Sequence, residues 1–221
     1  MIPKVIHYCW FGKGEKSALI QACIASWHKH MPDWEFIEWN EENSPIDHPF
    51  VSKALNEKKY AFAADYVRCF ALYNMGGIYL DTDMEIIKNL EPLISYDFFA
   101  GYEDDNFDKI NCAIFGGIPK NIILKELLEY YDNNVNYYVA IPQILGKIYN
   151  SDICENSKIF TYEVFYPYHP FNESREIKQL MYRDITEETY GIHHWEFSWK
   201  MSKLSNILNL LKKKIYRFLD S

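Results

Sequence analysis

The stretch Gly76-Gly-Ile-Tyr-Leu-Asp-Thr-Asp83 decides how this chain of 221 residues folds and where its chemistry lies. Its two glycines end a helical pattern, because glycine readily adopts the left-handed backbone that closes a helix. The apolar residues that follow predict a short buried strand. Asp81 and Asp83 stand two residues apart directly after it, so their carboxylates can converge on one divalent cation, Mg²⁺ or Mn²⁺. The pattern predicts a metal site, with a solvated pair of aspartates in a turn as the alternative.

The helix predicted just before this strand, over residues 60–74, adds a second pair of charges. Asp65 and Arg68 are three residues apart and therefore lie on one helix face. A surface ion pair is the plain alternative. Because the helix leads into the strand before Asp81 and Asp83, an acid and a guanidinium here can hold hydroxyl groups and a phosphate together. These four charged residues are the candidate catalytic residues.

Strands and helices alternate along most of the chain, which predicts an α/β fold with a largely parallel sheet. We divide the chain into one domain, residues 1–200, and a basic amphipathic helix, residues 201–221, within a longer helical pattern over 197–219. The other predicted strands cover residues 5–10, 34–39, 97–102 and 110–115, and the other predicted helices cover 15–31, 50–58, 121–132 and 139–150.

Composition and charge exclude several classes of protein. Aromatic residues make up 17% of the chain, which excludes a disordered tail. The net charge is −8, and residues 201–221 carry +4, so the rest is strongly acidic and a poor partner for nucleic acid. A phosphate-bearing ligand then needs a metal ion or a well-placed arginine. The five cysteines form no C-x-x-C pair, and we find no signal peptide or long apolar segment, so we expect a cytoplasmic location.

The pattern Ala64-Asp-x-x-Arg68-x-x-x-Leu72-x-x-x-Gly76-Gly-Ile-Tyr-Leu-Asp81-x-Asp83 resembles the D-x-D-containing sugar-transferase family. This family, glycosyltransferase family 32-like, includes bacterial capsular-polysaccharide enzymes and yeast mannosyltransferases and is related to the catalytic core of clostridial glucosylating toxins. The opening residues 2–12 and the closing residues 192–199 match it too. The resemblance implies a GT-A fold with a Rossmann-type sheet, a UDP- or GDP-sugar donor, a divalent metal, and retention of anomeric configuration.

The resemblance also implies roles for individual residues. Trp10 should lie against the base, and one of two adjacent histidines should lie near the metal or the diphosphate, with a tryptophan closing over it. The implied donor-binding residues are Trp10, Asp65, Arg68, Asp81, Trp195 and Trp199, and the implied metal ligands are Asp81, Asp83, His193 and His194.

We therefore expect a metal-dependent glycosyltransferase that moves a sugar to a glycan or lipid-linked saccharide in capsular or surface polysaccharide synthesis. Residues 204–219 combine an apolar stripe with lysines, which predicts peripheral contact with the inner face of the membrane, whereas packing against the body is the alternative. Two other functions stay open. One is carbohydrate binding without catalysis, and the other is a phosphohydrolase that uses Asp81 with a downstream Asp104 and Asp108.

Overall fold

The computed structural model describes residues 1–105, 109–149, 154–172 and 175–196. Its main sheet has six strands in the order β2-β1-β3-β6-β5-β7. Of these strands, β6 alone runs antiparallel to its neighbours, so the parallel-rich α/β sheet predicted from the sequence is confirmed. The strands are β1 (Val5–Cys9), β2 (Glu35–Trp39), β3 (Gly77–Leu80), β5 (Phe98–Tyr102), β6 (Ile110–Gly117) and β7 (Ser157–Phe160).

Helices cover both faces of this sheet. Side chains mark where two of them begin, since Ser17 Oγ accepts from the Ile20 N–H and Asn121 Oδ1 from the Ile123 N–H. The five helices predicted between residues 15 and 150 are confirmed to within a few residues at their ends. The helices are α1 (Ala18–His30), α2 (Pro49–Asn56), α3 (Tyr60–Met75), α4 (Ile122–Asn133), α5 (Ile141–Ile148) and α6 (Tyr162–Phe165).

Two apolar layers hold the sheet between the helices. The larger contains residues of α2, α3, α4 and α5, and the smaller contains residues of α1 and α6. Strand β3 contributes to both, because successive side chains of a strand point to opposite faces. Ile78 and Leu80 belong to the smaller layer and Tyr79 to the larger one. This alternation directs Tyr79 toward α3.

A second, two-stranded sheet was not predicted. It pairs β4 (Met84–Ile86) with β8 (Gly191–His193) in antiparallel register, with Met84 opposite His193. Strands of three residues are too short to carry a periodic pattern, and β7, also unpredicted, is only four residues long at a sheet edge. The pairing continues outward, because the His194 N–H donates to the Asp83 carbonyl at 3.0 Å.

The turn between α3 and β3 is shaped by its two glycines. Gly76 has φ 68° and Gly77 has φ 118°, backbone conformations that L side chains rarely adopt. A Cβ at Gly77 would stand 2.6 Å from the Val5 carbonyl oxygen and 3.0 Å from His7 Nε2. The buried His7 supports the turn, since its Nε2–H donates to the Gly76 carbonyl at 2.9 Å and its Nδ1 accepts from Trp39 Nε1–H at 3.1 Å.

All five cysteines are buried and free. Within the part of the chain that the structure describes, none of the helices has the length and apolarity needed to cross a membrane. The helical pattern over 197–219, and with it the predicted second domain at 201–221, lies outside the described residues.

Candidate active site

A cleft of about 750 Å³ opens where β1 and β3 end and β6 begins. Ligands of α/β proteins commonly bind at this edge of the sheet, where loops leave the carboxyl ends of the strands. The loop after β1 supplies Trp10, the end of β3 supplies Asp81 and Asp83, and helix α3 supplies Asp65 and Arg68. The structure thus brings together the four charged residues that the sequence singled out.

Arg68 connects the two acidic elements of the cleft. Its Nη2 lies 3.2 Å from Asp65 Oδ1 and 3.1 Å from Asp81 Oδ1. Its Nη1 donates to the Cys112 carbonyl at 2.7 Å, and its guanidinium carbon lies 4.3 Å from the centroid of the Tyr79 ring. Only 6% of Arg68 is exposed. The guanidinium is therefore fixed, and it holds one acid of the helix and one acid of the strand in a constant relation.

Asp65 joins the cleft to helix α5. Its Oδ2 accepts from the backbone N–H of Ile141 at 3.3 Å, in the first turn of that helix. The residue at the N-cap, Ala140, has no side-chain hydrogen-bond group, so Asp65 takes the place of a capping residue. Burial raises the pKa of Asp65 to about 6, with the charge of Asp81 adding to the shift and Arg68 opposing it.

Asp81, Asp83 and His193 form a cluster that can bind a cation. Ligand atoms of the three side chains all lie within 4.8 Å of one another. Asp81 Oδ1 accepts from the Tyr79 hydroxyl at 3.1 Å, and burial raises the pKa of Asp81. Burial also favours the neutral form of Asp83, but His193 and the backbone N–H of Glu196 outweigh it, and the pKa of Asp83 lies below its usual value.

The chemistry of this donor set fits a divalent cation. Two carboxylates and one imidazole are ligands that Mn²⁺ accepts, and Mg²⁺ takes the carboxylates readily. Asp83 Oδ1 lies 3.3 Å from His193 Nε2, and Asp83 Oδ2 accepts from the Glu196 N–H at 2.9 Å, which fixes its orientation. The Nδ1 atom of His193 is buried and has no hydrogen-bond partner among the residues that the structure describes. Arg68 and His193 are the only basic side chains that the described part of the chain places on the cleft wall, so acidic side chains outnumber basic ones there.

The structure distinguishes the two adjacent histidines. His193 ends β8 and faces the aspartates, whereas His194 Nε2 pairs with Glu85 at 2.8 Å, outside the cluster. Of the two histidines that the resemblance offered as metal ligands, the structure therefore places His193, and not His194, beside the aspartates. The reason is the alternation of side chains along an extended chain, which turns His194 away when His193 points inward.

Of the three tryptophans predicted at the donor site, two line the cleft. Trp10 lines the cleft, its Nε1–H donates to the Gly14 carbonyl at 2.7 Å, and the Lys16 ammonium lies 5.2 Å from the centroid of its ring. Trp195 also lines the cleft, and its ring centroid lies 4.0 Å from that of His193. Trp199 lies outside the described residues.

Two further residues of the cleft were not foreseen from the sequence. Tyr79 stacks on Arg68 and donates to Asp81, and its position two residues before Asp81 in a strand was a usable signal. Glu196 lines the cleft next to Asp83, and within the described part of the chain its buried Oε2 atom has no hydrogen-bond partner. Nothing in its sequence context sets Glu196 apart from any glutamate near the closing motif.

Comparisons with known proteins agree with this geometry. Residues 17–100 match the family model of the glycosyltransferase sugar-binding region containing the DXD motif. The resemblance to D-x-D sugar transferases is confirmed. The match includes both candidate carboxylates of the strand and both candidate residues of α3.

The solved structures most useful for comparison share the fold at low sequence identity. PaToxG glycosyltransferase superposes with a TM-score of 0.53 at 18% identity and covers 66% of this chain and 68% of its own. A glycosyltransferase involved in the glycosylation of the major capsid of PBCV-1 superposes with a TM-score of 0.51 at 10% identity and covers 89% and 95%. The architecture is the GT-A fold, as the resemblance implied.

Among curated proteins, the chain is similar to fungal mannosyltransferases. It is 34% identical over 100 residues to inositol phosphoceramide mannosyltransferase 3 of Schizosaccharomyces pombe, covering 43% of this chain and 28% of that protein. It is 26% identical over 155 residues to mannosyl phosphorylinositol ceramide synthase CSH1 of Saccharomyces cerevisiae, covering 66% and 40%. The chain therefore spans less than half the length of either relative.

Proposed function

We propose that this protein is a metal-dependent glycosyltransferase that moves a hexosyl group from a nucleotide-sugar donor to a hydroxyl of a glycan or lipid-linked acceptor. The observation that carries the proposal is the joining of Asp65, Arg68 and Asp81 in one buried network beside the Asp83–His193 pair. A surface ion pair or a pair of aspartates in a solvated turn would be exposed to water. The burial of these charged residues together at a large cleft is instead typical of a functional site.

Different residues of the cleft would bind different parts of the donor. Trp10, at the loop after β1, offers an aromatic surface for the base. Asp65 and Asp81 offer carboxylate oxygens to sugar and ribose hydroxyls, and Arg68 keeps both acids oriented. Asp81, Asp83 and His193 would hold Mn²⁺ or Mg²⁺, which when bound neutralises the diphosphate as it leaves.

In the proposed reaction, the bond between the anomeric carbon and the phosphate oxygen breaks. A bond from the acceptor oxygen to the same carbon forms on the same face of the sugar, so that configuration is retained. The electron pair of the broken bond stays with the nucleoside diphosphate, and the leaving phosphate oxygen takes the proton of the acceptor hydroxyl. The contribution of this chain is a fixed polar frame that binds the leaving group without rearranging, which is the main source of rate enhancement in such sites.

The acceptor class is part of the proposal, and the names of the relatives support it. Their names describe mannosyl transfer to inositol phosphoceramide, a lipid that carries a polar headgroup. We propose that this protein also acts on a lipid-linked or surface glycan at the cytoplasmic face of a membrane, and that GDP-mannose is the first donor to test. Synthesis of capsular polysaccharide is one setting for such an acceptor.

A metal-dependent donor assay tests the proposal. The purified chain is incubated with a panel of GDP- and UDP-sugars, and release of nucleoside diphosphate is measured with Mn²⁺, with Mg²⁺ and after chelation by EDTA. We expect hydrolysis of at least one donor with metal, loss of it with EDTA, and recovery when metal is returned. Binding of saccharides without turnover of any donor would instead identify a carbohydrate-binding protein.

The phosphohydrolase alternative loses its support. Asp104, one of its two downstream acids, lines a separate hollow of about 180 Å³ and not the cleft. Asp81, its proposed nucleophile, is held by Arg68 and Tyr79. Asp108, the other downstream acid, lies outside the described residues.

A further inference from the structure

Glu103 does not line the cleft, but its side chain contacts residues of two segments that lie beside it. It follows β5 directly, and its N–H donates to the Lys109 carbonyl at 2.8 Å. Its side chain is 16% exposed, and its two carboxylate oxygens bind different partners. Oε2 accepts from Asn111 Nδ2 at 3.1 Å, and Oε1 lies 2.9 Å from His169 Nε2. A single carboxylate therefore connects strand β6 to the segment before β8.

The neighbours of His169 fix its tautomer. Its Nδ1 accepts from the Phe171 N–H at 3.2 Å, so the ring carries a proton on Nε2 and donates it to Glu103. Burial raises the pKa of Glu103, but the hydrogen bonds from His169 and Asn111 outweigh it, and that pKa lies below its usual value. The carboxylate is ionised at neutral pH and accepts from both sides.

The first route from Glu103 to the cation cluster runs through β6. Asn111 lines the cleft, and its Oδ1 accepts from the Ala113 N–H at 2.8 Å. The Ala113 carbonyl in turn accepts from the Asp81 N–H at 2.7 Å. Glu103 thus supports the strand edge against which Asp81 is placed.

The second route runs through Trp195. The ring centroid of His169 lies 4.3 Å from that of Trp195, and the Trp195 Nε1–H donates to the Tyr168 carbonyl at 3.1 Å. Trp195 has φ 56°, an unfavourable conformation for a bulky residue that surrounding contacts must hold in place. The indole also packs on His193, which faces Asp83.

We propose that Glu103 is a positioning residue of the donor site, acting through Asn111 on one side and through His169 and Trp195 on the other. The two routes end at the two aspartates of the same cluster, so loss of one carboxylate loosens both walls. This inference rests on the proposed function for its effect on the donor, but its effect on Trp195 requires no substrate.

Three variants distinguish a positioning role of Glu103 from a purely structural one. Glu103→Ala removes both hydrogen bonds. Glu103→Gln keeps the shape but accepts from only one of the two donors, because neither Asn111 nor His169 can reverse its role without losing its bond to Ala113 or Phe171. Asp105→Ala is the matched control. It removes an acid from the same turn, and this acid accepts a hydrogen bond from Asn172 but contacts neither Asn111 nor the side chains of His169 and Trp195.

The first measurement uses the protein without ligand. The indole N–H resonances of the six tryptophans are recorded by ¹H–¹⁵N NMR, and Trp195→Phe assigns the one of interest. We expect Glu103→Ala to shift or broaden the Trp195 resonance, Glu103→Gln to do so less, and Asp105→Ala to leave it unchanged. An unchanged Trp195 resonance in Glu103→Ala overturns the inference whatever the protein binds.

The second measurement uses the donor that the wild-type chain turns over and the matching nucleoside diphosphate with Mn²⁺. We expect Glu103→Ala to weaken diphosphate binding and to lower kcat/KM by about 10- to 100-fold, with Glu103→Gln between it and the wild type. If Glu103→Ala lowers the melting temperature but leaves both constants per folded molecule at the Asp105→Ala level, its role is structural and the inference is wrong. A wild-type chain that neither binds nor turns over any donor overturns the proposed function itself, a result that the variants do not affect.

Discussion

The Nη2 atom of Arg68 lies 3.1 Å from Asp81 Oδ1, across the turn that joins helix α3 to strand β3. This contact joins the helix to the end of the strand at the edge of the cleft. Gly76 and Gly77 form the turn between the two elements, away from the cleft. A buried arginine shared between two acids fixes the orientation of both carboxylates and favours their charged form against the effect of burial. The charged network of the proposed site is therefore built into the connection between α3 and β3.

Replacing Arg68 by lysine tests whether the shape of the guanidinium matters. Arg68→Lys keeps the charge but cannot bind Asp65, Asp81 and the Cys112 carbonyl together. We expect a loss of about 2–4 kcal/mol of transition-state stabilisation, measured as the ratio of kcat/KM values. Urea unfolding of the same samples gives the loss in stability. Normal turnover per folded molecule would show that the network serves folding alone.

Removing the charge of Asp83 tests the cation cluster. Asp83→Asn keeps the size of the side chain and one oxygen for the Glu196 N–H, but it loses a ligand charge beside His193. We expect metal-dependent donor turnover to fall at least about 100-fold while the circular dichroism spectrum stays that of the wild type. Asp33→Asn, at an exposed acid paired with Lys4, is the control and should keep full activity. Comparable turnover in the two variants would contradict the metal assignment.

Two glycine substitutions give a matched pair for the fold. Gly77→Ala places a methyl group 2.6 Å from the Val5 carbonyl at a φ of 118°, and we expect it to lower the free energy of unfolding by about 2–4 kcal/mol. Gly146→Ala, in helix α5, meets no atom within 4 Å and should raise it by about 0.5–1 kcal/mol. Chemical denaturation measures both. Equal effects would mean that the turn tolerates a side chain.

His7 predicts a particular pH dependence of stability. Burial lowers its pKa from 6.5 to about 4, with its bond to the Gly76 carbonyl opposing the shift. Between these values the unfolded chain binds a proton that the folded chain does not. The contribution of neutral His7 to the free energy of unfolding is therefore complete above pH 6.5 and is lost as the pH falls toward 4. The expected loss is about 3 kcal/mol.

The matching variant isolates this histidine. Asp65, whose burial raises its pKa to about 6, changes stability in the opposite direction over much of the same range, so the wild-type curve alone is ambiguous. His7→Gln offers a donor and an acceptor without titrating. We expect its free energy of unfolding to fall less between pH 6.5 and pH 4 than that of the wild type. Parallel curves would assign the pH dependence to other groups.

The predicted basic helix at residues 204–219 is tested on membranes. The full chain and a form ending at Lys203 are sedimented with anionic or neutral liposomes, and we expect the full chain alone to bind the anionic ones. Each lysine or arginine near an anionic surface contributes about 1 kcal/mol, so exchanging Lys212, Lys213 and Lys214 for glutamate should abolish binding. Equal, negligible binding by all forms would contradict membrane contact.

The part of the site that the sequence predicted is the part made by neighbouring residues. Asp65, Arg68, Asp81 and Asp83 lie within one helix–turn–strand unit, so helical spacing and strand alternation suffice to place them. The contact of Asp65 with the Ile141 N–H spans 76 residues, and nothing local announces it. Trp195 and the Glu103–His169 pair depend in the same way on how distant segments pack.

The choice between His193 and His194 shows why register matters. Both residues lie in the same motif with the same chemistry, and the decision comes from the pairing of Met84 with His193 in the small sheet. A shift of one residue would exchange the two side chains between the cleft and Glu85. Patterns of a single strand cannot fix a register that only its partner defines.

The pairing of β4 with β8 also sets an order of events during synthesis. Glu85 and His194 are 109 residues apart, so β4 leaves the ribosome long before its partner exists. Helix α3 and the main-sheet strands β1, β2, β3, β5 and β6 can assemble first, because their contacts span shorter stretches of chain, whereas the imidazole of His193 reaches the two carboxylates only after residue 193 has been synthesised. A chain interrupted before residue 191 would keep most of its sheet but would present two aspartates without a third ligand. Full affinity for the ion would thus be acquired after the main sheet has formed.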